Sequence, residues 1–221
     1  MNLSGKNRLF VKHRRGFTLV EIGIVLAIIG SLLGAIYTAA STVAYRVKIN
    51  RASDELSLIV GNVRSLYASR NTAWNASVPT SPSPSNFNFY TTTFALAKVF
   101  PAEMVNGMGI VNNPWNFGPA TNTVMASLYS VTGDITTPVE FIVRFTNLSN
   151  EVCADMVVRN STPGQDKNSG LQQIIITGTT VTTLPNAFYK LPVTPVAISS
   201  TCDNGASATG NIVDWYYILG S

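Results

Sequence analysis

Glu21 is the residue whose position in this sequence most needs a chemical reason. It follows Lys12-His-Arg-Arg-Gly16 and Phe17-Thr-Leu-Val, and it precedes Ile22 to Tyr45, a stretch without a formal charge. If that stretch crosses a bilayer, insertion scales set about 3 kcal/mol against an acidic residue near mid-span. A carboxylate held in lipid is usually functional and paired. No cation between Phe17 and Tyr45 can serve it. Cutting the peptide bond after Gly16 would make one, because the new α-amino group of Phe17 lies at the right depth. The natural partner of Glu21 is then the amino terminus of a neighbouring copy.

Other chemistry is sparse. The only histidine is His13, among the first 16 residues, so a chain starting at Phe17 has none. That removes Ser-His and Cys-His nucleophiles and histidine-ligated metals. Cys153 and Cys202 show no CxxC spacing and no accompanying histidine, so they do not read as a zinc site. Asp134, Glu140, Glu151, Asp155 and Asp166 are scattered through expected strands and loops, with no paired arrangement for acid–base work. No Gly-rich phosphate loop occurs. The expectation is a non-enzyme with no cofactor and no metal.

The formal net charge of +4 belongs to the start of the chain. Of 15 basic side chains, Lys6, Arg8, Lys12, Arg14 and Arg15 precede Phe17, leaving ten against 11 acids, or −1. Basic residues before an apolar span hold the amino terminus in the cytoplasm. The remainder has no basic excess to suggest a nucleic-acid partner. The chain beyond Tyr45 is then expected outside the cytoplasm, where Cys153 and Cys202 would oxidise to a disulfide. Two buried free thiols are the alternative.

These groups need a long element to carry them. One helix is expected from Phe17 to about residue 70, roughly 80 Å at 1.5 Å per residue. Residues 22–44 suffice to cross a bilayer, which takes about 20 apolar residues. Beyond Tyr45, Ile49, Ala52, Leu56, Ile59, Val60, Val63, Leu66 and Tyr67 recur at steps of three and four. Arg46, Lys48, Arg51, Asp54, Glu55 and Arg64 are assigned to the other face, an amphipathic continuation. Gly23, Gly30 and Gly34 allow either close helix approach or local unwinding. Residues 74–90, with Pro79, Pro82 and Pro84, read as a linker, and 91–100 as a short helix ended by Pro101. Strands are expected at 123–131, 138–146, 172–182 and 211–219. The chain divides into a basic leader, 1–16; a transmembrane half-helix, 17–45; an amphipathic half-helix, 46–72; and a globular domain, 73–221.

Arg14-Arg15-Gly16-Phe17-Thr18-Leu19-Val20-Glu21 resembles the leader of type IV pilins and pseudopilins. The resemblance implies cleavage after Gly16 by a membrane prepilin peptidase, N-methylation of Phe17, and a role for Glu21 in subunit packing. A second likeness, to type IVb major pilins, lies in the segment 115–118, in Ile142 to Cys153, and in Cys202 followed by Trp215-Tyr-Tyr217. The 16-residue leader leans the same way, whereas Phe17 as first mature residue is more typical of the other subclass. The family fold is α+β: a long amino-terminal helix packed on an antiparallel sheet, with a disulfide tying the carboxy-terminal region into it. The best-known subclass carries a kinking proline where Thr38 stands, so no kink is expected there.

By that likeness the chain is an inner-membrane precursor, single-pass with its amino terminus cytoplasmic, and then part of an extracellular pilus. Its partners would be identical subunits, the peptidase and the inner-membrane assembly machinery. A type II secretion pseudopilin or minor pilin shares every amino-terminal feature. A signal-anchored binding domain would instead keep its leader.

Overall fold

Helix α1 runs unbroken from Leu19 to Ala68, through Gly23, Gly30, Gly34 and Thr38. The computed structural model describes residues 16, 18–68, 83–115, 121–129, 140–161, 170–178, 187–190, 198, 201–202 and 210–219. Expectations that fall on 1–15, Phe17, 74–82 and 116–118 lie outside the described residues, as do Asp134, Asp166 and the outer ends of several expected strands. After α1 come α2 (Pro84–Leu96), β1 (Val124–Tyr129), β2 (Glu140–Leu148), α3 (Asn150–Asn160), β3 (Leu171–Gly178), β4 (Ala187–Lys190) and β5 (Asn211–Ile218). The architecture is α+β. Two compact units meet in sequence at Tyr45 and Arg46.

In residues 1–45 the described side chains are almost all exposed, from Leu19 and Val20 to Val43. In residues 46–221 the rest of α1 is amphipathic and packs on the sheet. Ile49, Ala52, Leu56, Ile59, Val60 and Val63 are buried. Glu55 departs from the polar face expected for it: it is 2% exposed. Its place three residues after Ala52 and four before Ile59 puts it in the apolar stripe despite its charge.

The sheet has the order β1-β2-β5-β3-β4, with every neighbouring pair antiparallel. β5, late in the sequence, lies in the middle, and Val213 to Tyr217 are buried on both faces. One face carries Phe141, Val143, Phe145, Ile174, Ile176, Trp215 and Tyr217, all buried. Phe145 meets Trp215 edge-on at 5.4 Å, and Phe141 stacks on Tyr217 at 5.1 Å. The other face gathers Ile142, Ile175 and Tyr216 around Phe87 of α2.

α2 corrects the expected linker at 74–90 and helix at 91–100. Ser83 caps the helix by accepting from the Asn86 N–H, and Pro84 occupies the first turn. There proline lacks only an N–H that would have no helical partner, so it favours a helix start. The helix also protects the sheet. Thr91 Oγ1 accepts from Ala126 N at 3.1 Å and donates to Ala126 O at 3.3 Å, satisfying outward backbone groups of edge strand β1. α3 was not expected. Ser149 caps it, accepting from Val152 N, and buried Val152, Cys153, Met156 and Val157 recur at helical spacing. Glu151 and Asp155 therefore sit on a helix rather than in strands or loops. β4 was also not expected.

Between these layers Arg144 of β2 clasps Asp214 of β5, with Nε–Oδ1 at 2.7 Å and Nη2–Oδ2 at 2.6 Å. The guanidinium lies 4.1 Å from the Phe87 ring centre, in cation–π range. Burial pushes the Asp214 carboxyl up, and the Arg144 hydrogen bonds and charge offset only part of that rise. The two-pronged, charge-assisted geometry is the strong form of such a contact. Arg144→Met should destabilise the fold by about 3–5 kcal/mol, because it strands a buried carboxylate. Adding Asp214→Leu should recover most of that loss in thermal melts. An unchanged melting temperature for the single variant would contradict the pairing.

Candidate functional site

The first turn of α1 is built around Thr18 and Glu21. Thr18 precedes the first helical residue, and its Oγ1 accepts from Glu21 N at 3.3 Å. In return Glu21 Oε2 accepts from Thr18 N and from Thr18 Oγ1, each at 2.9 Å. This is a capping box: the two side chains satisfy backbone donors that an isolated helix start would leave open. The sequence reading missed Thr18, although Thr18-Leu-Val-Glu21 before an apolar run is the pattern that marks such a box.

Glu21 is thus hydrogen-bonded but has no charge partner among the described residues. All described bonds to its carboxylate fall on Oε2, leaving Oε1 without a partner among the described residues. A carboxylate oriented by its own helix, with one oxygen uncommitted, can accept an ammonium without first reordering. Gly16 is exposed, and a Cβ built on it would meet nothing within 4 Å. Phe17 lies outside the described residues.

Around this turn, Ile22, Ile24, Val25, Leu26, Ile28 and Ile29 are exposed. Gly23, Gly30 and Gly34 have open space where a side chain would sit, and the helix does not unwind at them. Span and carboxylate together form a surface for lipid or for like helices.

Elsewhere the cysteines are joined: Cys153 of α3 and Cys202 form a disulfide across a sequence separation of 49. It ties α3 to the segment shortly before β5. Asn160 of α3 donates to Ser53 of α1 at 3.3 Å, and Arg159 donates to Asn50, so α3 is also fastened to α1. Among the described residues no group of histidine, cysteine, aspartate and glutamate could hold a metal ion.

A family model described as the prokaryotic N-terminal methylation motif matches residues 11–37, the stretch that holds Gly16, Thr18 and Glu21. A second, described as PilS N terminal, matches residues 46–214, most of the chain. The chain belongs to the type IV pilin family. No curated protein matches it. The family is structural rather than enzymatic, and the methylation motif with the apolar half of α1 fits a membrane-anchored precursor.

In this pilin the disulfide closes a loop worth about 4 kcal/mol on the chain-entropy account. Cys153→Ser should lower the melting temperature under oxidising conditions and make it insensitive to reductant. A melting temperature equal to the parent's would show that the bond does not contribute.

Proposed function

We propose that this chain is a filament-forming subunit of a type IV pilus, of the type IVb-like major class, processed after Gly16 and methylated at Phe17. The observation that carries the reading is the first turn of α1: an oriented carboxylate with no charge partner among the described residues, four residues after Phe17 in the sequence, on a helix whose apolar surface is exposed. Before assembly the helix lies in the inner membrane. On assembly, apolar surface exchanges lipid for the helices of other copies and so never meets water, where exposure would cost about 25 cal/mol per Å². Within lipid, association rests on packing, and small residues such as Gly30 and Gly34 let backbones approach.

Glu21 supplies register. A subunit arriving with this acid unpaired in a low-dielectric core is penalised, and the Phe17 ammonium of a neighbour relieves the penalty. Donor and acceptor are different residues of the same chain, so the contact is heterologous and repeats as an open helical filament. The prepilin peptidase and the inner-membrane assembly machinery are the other partners of this reading.

Gly16→Leu should leave full-length precursor in the membrane. Glu21→Ala should be inserted and cut normally yet yield few filaments, and Glu21→Asp should recover part of the yield. Parental filament yield from Glu21→Ala would remove the pairing role.

A further inference from the structure

Glu55 has no place in the assembly reading so far. Its Oε1 accepts from Arg51 Nε at 2.8 Å, and its buried Oε2 has no partner among the described residues. An isolated charged oxygen out of water is costly unless something reaches it. Beside it lies a notch of about 380 Å³ between α1 and the turn that holds Glu103. Val47 and Leu58 line it with apolar surface, and Asp54, Glu55 and Glu103 contribute three carboxylates against the single Arg51 guanidinium, a formal −2. Burial pushes the Glu55 carboxyl up, Arg51 draws it down, and the charges of Glu103 and Asp54 push it up again. Among the described lining residues negative charge is in excess, and the Arg159 guanidinium is bonded to the lining residue Asn50.

Its shape selects among cations. The carboxylates do not converge as a metal-holding group. The apolar Val47 and Leu58 beside the carboxylates of Asp54, Glu55 and Glu103 suit instead a lysine or arginine, whose methylene stem packs while its head bonds. We propose that this notch receives a basic side chain from a second copy of this chain, with Arg46 as the donor. The proposal rests on the filament reading. Arg46 is exposed and has no ion-pair partner among the described residues. It precedes Glu55 by nine residues, two and a half turns, which places it on the opposite side of α1 and about 14 Å along the axis. Cation on one side and acid on the other is what an open, repeating contact requires. Lys48, nearly two whole turns before Glu55, faces the same way as the acid and cannot play that part in the same manner. The sense matches that proposed for Glu21, with the cation amino-terminal to its acid in the sequence.

The full chain should be expressed in cells that assemble it, with filament yield and the melting temperature of detergent-dispersed subunits read together. In a free subunit the raised pKa of Glu55 is a liability. The unfolded chain loses this proton first, so stability from this site is present at acid pH and lost as pH rises through the raised value. Glu55→Gln should therefore melt no lower than the parent at neutral pH, with the difference closing in acid, yet filament yield should fall about tenfold or more, the scale of close interfacial charge pairs. Arg46→Glu and the rim variant Glu103→Arg should each lower yield, and combining them should restore it. Parental yield from Glu55→Gln overturns the proposal. So does a loss of yield that merely tracks a lower melting temperature, or a charge exchange that restores nothing. A parent chain that makes no filaments removes the filament reading and this contact with it.

Discussion

From Leu19 to Val43, α1 presents large apolar side chains to its surroundings, and this exposed helix surface constrains everything else in the molecule. Such a surface is stable only in lipid or against other apolar helices. The constraint explains why the segment holds a single carboxylate, why that carboxylate is already oriented by Thr18, and why its complement is expected from outside the subunit. It also limits how copies associate. Lipid is as apolar as the helix, so burial alone gives no direction, and selectivity must come from packing and from charge.

The other unit faces the opposite demand, since it must hold together in water while presenting α1. Its fold is closed by late pieces of the chain. β5 occupies the centre of the sheet between β2 and β3, Arg144 and Asp214 lock β2 to β5, and the disulfide draws α3 toward the segment before β5. The lower half of α1 is fastened at several points. Asn62 donates to Val99 O at 2.8 Å, Ser53 receives Asn160, and the Ile49-to-Val63 stripe is buried. The fold thus fixes that half of the helix and leaves its exposed face for contacts such as the one proposed for Arg46.

Much of this is legible in the residues, for identifiable reasons. The long helix reads from an unbroken apolar run passing into a three-and-four periodicity, with no proline before Pro79. β2, β3 and β5 read from runs of β-branched and aromatic residues. The misreadings arise where residue type is weighed above position. Pro84 reads as a breaker although it stands just after a capping serine. Glu55 reads as outward because it is charged, although its spacing from Ala52 and Ile59 sets it inward. α3 is short, and its helical spacing is hidden by Asn and Ser at its ends. β4 has only four residues, too few for a periodic signal. At the candidate site, Gly16 and Glu21 stand out by their setting, whereas Thr18 looks like an ordinary polar residue until its bonds to Glu21 are seen.

The account depends on a free ammonium at residue 17, made by removing everything before it. Intact-mass measurement of the chain recovered from sheared surface filaments addresses this directly. The expected mass is that of residues 17–221 with the disulfide closed and one methyl group added, a modification that preserves the amino-terminal charge. A mass that begins at Met1 would contradict the account, because no cation would then exist at the depth of Glu21.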